Sequence, residues 1–143
     1  MIIWLNNMRY LGIDLGSRRM GVSLSDPTGI IAAPLIVVNH VDNYPFLVDE
    51  IKKIVKDNKV DEIVLGFPKN MNNTIGEKGE LSIWFKKELE EKLEINVHLI
   101  DERLSTKSAN DILINNNTRR NKRKKVIDKM AAVIILQSFL DRI

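Results

Sequence analysis

The chain contains no cysteine, which excludes disulfides, thiolate metal sites and a cysteine nucleophile. Proline and glycine are scarce, at 4 and 7 residues, and no repeat or low-complexity linker divides the sequence. Aromatic residues make up only 6%, so there is little material for stacking on bases, and strong base-sequence preference is not expected. No apolar run approaches the roughly 18 residues of a membrane span. The opening Met1–Met8 has no basic start, no long apolar stretch and no small-residue cleavage site, so no signal peptide is expected there. The expectation is a cytoplasmic chain without a membrane partner. Its 143 residues fit one ordinary domain of about 100–200 residues.

What is abundant is positive charge in one place. Arg119, Arg120, Lys122, Arg123, Lys124 and Lys125 lie within seven residues that hold no acid. Without their six charges the net charge of +3 becomes −3. A basic patch on a slightly acidic body points to a polyanionic partner, although a solvated loop without a partner would look the same.

The hydrophobic pattern predicts three strands in succession, over 9–15, 20–25 and 30–38. Gly16 to Arg19 reads as a tight turn between the first two. Asp26-Pro27-Thr28-Gly29 has the chemistry of a turn between the next two. Pro34 has no N–H for a central strand, so the third strand belongs at the sheet edge. Leu47, Ile51, Ile54 and Val55 then recur at helical spacing behind Pro45. Residues 61–66 read as a buried strand. Leu81, Trp84, Phe85, Leu89 and Leu93 mark a second amphipathic helix, with Trp84 and Phe85 both read as core. A fifth strand over 95–100 follows, then a short helix around Ala109, Ile112 and Leu113. Asn115 to Lys125 reads as a loop, and 126–140 as the last helix. The fold class is therefore α/β, a mixed five-stranded sheet flanked by helices: a three-strand antiparallel meander plus two parallel strands. Residues 1–8 read as an N-terminal extension, and 9–143 as a single domain.

Acids stand where chemistry could use them. Asp14 ends an apolar strand just before Gly16, and Asp101 and Glu102 close the fifth strand. Carboxyl ends of strands in open α/β sheets are where ligands bind. A turn-forming aspartate or a helix cap would account for each of these acids alone. Asp128 is followed at helical spacing by Ala131, Ala132 and Ile135, the apolar side of its helix. A carboxylate there needs compensation, either from Lys124 or Lys125 one turn earlier or from a bound cation. If these acids converge, their mutual repulsion calls for hard divalent ions, magnesium or manganese, which support phosphodiester hydrolysis. Arg103 and the basic run could then hold the phosphate backbone.

Four motifs in series carry a family resemblance. Gly12-Ile-Asp14-Leu-Gly16-Ser-Arg-Arg19-Met-Gly21-Val22 resembles the first-strand pattern G-x-D-x-G-x-x-R-x-G-V of the YqgF (RuvX) family. Gly66-Phe-Pro68-Lys-Asn-Met71 is similar to its G-x-P-x-x-M loop, and Asp101-Glu-Arg103-Leu-Ser-Thr106 to its D-E-R-[LF]-[ST]-T segment. The basic run with Val126-Ile-Asp128-Lys-Met-Ala-Ala132 and Ile135-Leu-Gln137 resembles its carboxyl-terminal signature. After Met71 the family usually shows Asp-Gly-Thr, where this chain has Asn72-Asn73-Thr74.

The resemblance implies a ribonuclease H-like fold and a Mg²⁺-dependent (or Mn²⁺-dependent) endonuclease. The family is described as processing the 5′ end of pre-16S rRNA in ribosome biogenesis, and earlier as related to Holliday-junction resolvases. By the same resemblance Asp14, Glu102 and Asp128 would bind metal and catalyse, with Asp101 an alternative to Glu102. Arg19 and Arg103 would meet phosphate. Pre-rRNA is the expected partner, branched DNA the alternative, and the chain is expected as a monomer or weak homodimer.

Two other classes compete. A sugar-kinase or actin-like ATPase opens with a similar Asp-x-Gly-Ser loop but needs two such domains around its nucleotide, and this chain has room for one. A non-catalytic RNA-binding assembly factor could use the same basic run, but it would have no use for carboxylates on the apolar side of a helix.

Overall fold

The computed structural model describes residues 7–68, 76–101 and 120–143, with 120–129 described by backbone alone. β1 (Tyr10–Leu15) and β2 (Arg19–Ser25) form an antiparallel hairpin, and β3 (Ala32–Asn39) extends it. α1 (Tyr44–Asn58) leads to β4 (Glu62–Phe67), and α2 (Glu77–Leu93) to β5 (Val97–Asp101). Both of these strands run parallel to β1, giving the sheet order β3-β2-β1-β4-β5. α3 (Arg120–Leu140) ends the chain.

Strand alternation divides the sheet into two faces. Leu11, Ile13, Met20, Val22, Ile63, Leu65 and Val97 point to one side, where Leu47, Val48 and Ile51 of α1 and Phe85 and Leu89 of α2 complete the larger core. Tyr10, Val64 and Ile100 point to the other, against Ile135, Leu136 and Leu140 of α3. Met8, the last residue of the expected extension, packs against this smaller core.

Local chemistry explains the joints. The Asp26 carboxylate accepts from the Ile30 and Ile31 amides, both at 2.8 Å, and from the amide and hydroxyl of Thr28. The Ile31 amide above all, with the Thr28 hydroxyl and the Ile30 amide, holds that carboxyl far below the ordinary carboxylate range. Gly29 closes the turn at φ +71°, a backbone conformation that side chains disfavour. β3 is an edge strand, where the missing N–H of Pro34 does no harm. At α1, Asn43 caps the helix by accepting from the Phe46 amide, and Pro45 occupies the first turn.

Two expectations are corrected. Residues 120–125 belong to α3 and not to a loop, because lysine and arginine are good helix formers and the helix extends back through them. Trp84 is 37% exposed, whereas Phe85 is fully buried. Adjacent helical positions differ by about 100°, so both cannot face the sheet. The helix expected around Ala109, Ile112 and Leu113 lies outside the described residues.

α3 is seated closely on the sheet. A Cβ added to Gly12 would meet the Ser23 Oγ, Leu136 Cβ at 2.7 Å and the Ala132 carbonyl oxygen at 2.9 Å. Ser23 Oγ donates to the Ala132 carbonyl at 2.7 Å, in a buried contact. Farther along, Gln137 accepts from the Ala32 amide at 2.9 Å and donates to the Ile30 carbonyl at 3.0 Å. At the amino edge of the parallel strands, His98 Nε2 meets Glu62 Oε1 at 2.8 Å, and Asn96 donates to the same carboxylate at 3.0 Å. Partial burial works to raise the Glu62 pKa, but the hydrogen bonds from His98 and Asn96, with the His98 charge, outweigh it and hold it below its ordinary 4.5.

Two outcomes are expected. Gly12→Ala overpacks the contact and should cost about 1–3 kcal/mol, lowering Tm by about 3–10 °C in thermal unfolding. Glu62 contributes stability that is present above pH 4.5 and lost as pH falls through its lower folded-state value. Glu62→Gln should therefore lose less stability than the parent between pH 6 and about pH 3, measured as urea midpoints; equal losses would disprove the assignment.

Candidate active site

Asp14 lies at the carboxyl end of β1, half-buried, on the α3 side of the sheet. Its cross-strand partner is Gly21, where an added Cβ would stand 3.8 Å from Asp14 Cβ and 3.5 Å from Ala132 Cβ. On its other flank, Ile13 pairs with Leu65, so the next residue of β4 is Gly66, itself paired with Ile100. Asp14 is therefore bordered by two residues without side chains. Neither of these two neighbours presents a side chain to the carboxylate.

α3 runs opposite to β1. Phe139 meets Tyr10 with ring centroids 5.6 Å apart, Leu136 lies over Gly12, and Ala132 reaches both Gly12 and Gly21. Four helical residues rise about 6 Å and two strand residues about 6.6 Å, so helix and strand stay in step. By the same step Ala132 lies level with Gly21, the cross-strand partner of Asp14, and position 128 follows one turn earlier in the helix, beyond that level toward Gly16. The Asp128 side chain lies outside the described residues. The same holds for Arg120, Lys122, Arg123, Lys124 and Lys125, whose backbone forms the first two turns of α3.

The remaining acids divide. Ile100 belongs to the α3-side core, so the pleat directs Asp101, which pairs with Phe67, to the α1–α2 side, away from Asp14. Glu102, Arg103 and Arg119 lie outside the described residues. Among the described residues no three acidic or imidazole groups gather into a metal-binding cluster.

Arg19 opens β2 and is exposed, with Gly21, two residues on, on the Asp14 side. The turn between Asp14 and Arg19 is closed by the Gly16 amide donating to the Arg19 carbonyl at 3.0 Å. It is also tied to the end of β3. The His40 amide donates to the Arg18 carbonyl at 3.0 Å, and His40 Nε2 lies 2.8 Å from the Gly16 carbonyl oxygen. A carbonyl only accepts, so Nε2 carries the hydrogen. No sequence pattern announces this contact: a lone histidine after a strand has many uses, and its partner lies 24 residues away.

Comparison with known proteins follows the same lines. The sequence pattern of the RuvX family, described as Holliday junction resolvase, matches residues 8–142. A protein of Bacillus cereus (strain B4264), named "Putative pre-16S rRNA nuclease", is 50% identical over 137 residues, covering 94% of this chain and 99% of its own. One of Bacillus subtilis (strain 168) with the same name is 48% identical over 136 residues, covering 94% and 98%. Among solved structures, T. thermophilus RuvC in complex with Holliday junction substrate superposes with a TM-score of 0.58 at 13% identity, covering 94% of this chain and 95% of that one. The sheet order, the helix seated on Gly12 and the family pattern along almost the whole chain agree: the chain belongs to the RuvX family and has the ribonuclease H-like fold.

Proposed function

We propose that this chain is a metal-dependent endonuclease of the cytoplasm that hydrolyses phosphodiester bonds in the 5′ region of the 16S rRNA precursor. The observation that carries the reading is Asp14, a carboxylate bordered by Gly21 and Gly66 at the carboxyl edge of the sheet, on the side that α3 covers. An acid whose strand neighbours carry no side chains suits a hydrated divalent ion. All-oxygen donors from Asp14, Asp128 and a third carboxylate fit magnesium or manganese better than zinc.

For the third carboxylate we favour Glu102 over Asp101. The pleat that sends Ile100 toward α3 and Asp101 away from it supports this choice. When bound, the divalent ions would supply Lewis-acid activation of water and neutralise charge at the scissile phosphate. The chain's own part is to hold three carboxylates on one side of the sheet and to present phosphate contacts. Arg19, at the exposed start of β2, and Arg103 would meet the phosphates nearest the cut. Arg119, Arg120, Lys122, Arg123, Lys124 and Lys125 would bind the backbone further along, without reading bases.

Branched DNA is the second reading, favoured by the description of the matching family. A side-by-side cleavage assay on precursor rRNA and a four-way DNA junction separates the two. Cutting should require Mg²⁺ or Mn²⁺ and stop with chelator. Asp14→Asn should lower the cleavage rate at least ~100-fold while RNA affinity by gel shift stays within about threefold, since loss of even an outer-shell partner of a metal costs ~10–100-fold. Full cleavage by Asp14→Asn, or cleavage in chelator, would overturn the proposal.

A further inference from the structure

We infer that His40 is a positioning residue for hydrolysis: it holds the Gly16–Arg19 turn and thereby sets Asp14 and Arg19 relative to each other. The inference rests on the reading of Asp14 and Arg19 given above.

His40 is 8% exposed, and its ring meets Tyr44 edge-on with centroids 5.2 Å apart. It touches the turn twice, through Nε2 to the Gly16 carbonyl at 2.8 Å and through its amide to the Arg18 carbonyl at 3.0 Å. Nδ1 is buried and meets no hydrogen-bond partner. A buried polar atom without a partner is unfavourable. An apolar ring would fill the same space against Tyr44 without that cost, so what histidine adds here is the single N–H aimed at Gly16.

The Leu15–Met20 and Arg19–Asn39 strand pairs hold the ends of the turn, and His40 holds the carbonyls between them. Ser17, Arg18 and Arg19 are exposed, and the closing bond from the Gly16 amide to the Arg19 carbonyl is internal to the turn. Asp14 precedes the turn by two residues, and Arg19 follows it directly. Releasing Gly16 would let the Gly16–Arg18 backbone shift beside Asp14 and Arg19 while leaving the β1–β2 ladder intact. The effect should therefore fall on the rate of the chemical step and not on binding of the nucleic acid, whose main contacts are proposed to be the basic residues of α3, which His40 does not hold.

His40→Gln, His40→Asn and His40→Ala test this. The Gln amide nitrogen reaches about as far as Nε2 and can donate to Gly16, whereas Asn is too short and Ala has no donor. Well below Tm, Asn and Ala should lower kcat about tenfold or more with KM within twofold, and Gln should recover most of the loss. Amide exchange by NMR gives a readout independent of catalysis. The Gly16 amide should exchange at least tenfold faster in the Asn and Ala variants and near the parent rate in Gln. Unchanged Gly16 exchange in folded His40→Asn overturns the inference, as does parental kcat. If His40→Ala does not fold, the Asn–Gln comparison still decides. A parent that cuts nothing with Mg²⁺ would defeat the nuclease reading, and Gly16 exchange would still report on the turn.

Discussion

The close approach of α3 to β1 is the constraint on which the rest of the structure depends. Gly12 has no side chain, and neither Leu136 nor the Ala132 carbonyl would leave space for one. Helix and strand therefore meet at near-backbone separation, with the Ser23 hydroxyl bonded to the Ala132 carbonyl as a peg between them. Contact at that distance fixes register as well as distance, because sliding the helix so that Val133 replaced Ala132 would bring a branched side chain against the glycines of the strands. Once the register is set at Gly12, the matching rises of helix and strand carry it along, toward Phe139 over Tyr10 in one direction and toward Ala132 against Gly21, the partner of Asp14, in the other.

The two faces of the sheet have different tasks. The α1–α2 side is the larger apolar core, with Leu47, Ile51, Phe85 and Leu89 fully buried against Leu11, Ile13 and Leu65. The α3 side has a smaller core confined to one end, around Tyr10, Val64 and Leu140. Toward the carboxyl edge its floor turns to Gly12 and Gly21, against which Ala132 packs, and to Gly66. A carboxylate in the middle of the first face, at Ile13 or Leu65, would be stranded among aliphatic side chains at high desolvation cost. On the second, at a strand end, Asp14 keeps access to water and cations.

Where the sequence was legible, the reason is local chemistry. The Asp26–Gly29 turn was readable because Asp, Pro and Gly each satisfy a specific backbone need there. Pro34 announced an edge strand because it lacks a donor. The start of α3 was misread because a block of like charges resembles a solvated loop, although the same residues are good helix formers. Trp84 and Phe85 looked equivalent on hydropathy, and only the rotation of α2 against the sheet told them apart. His40 was invisible, because its role consists of bonds to carbonyls more than twenty residues earlier.

The sequence by itself determined the order of elements, the mixed sheet and the membership suggested by four motifs, since periodicity, turn chemistry and motif spacing are written along the chain. It also named the acids worth considering. Only the tertiary structure decided which face each described acid takes and which side of α3 meets Gly12 and Gly21. Those depend on strand pleat and on the depth to which α3 seats on glycine, and both are relations between segments far apart in the chain. Asp101 and Asp14 look alike as strand-end acids, yet the pleat sends them to opposite sides of the sheet.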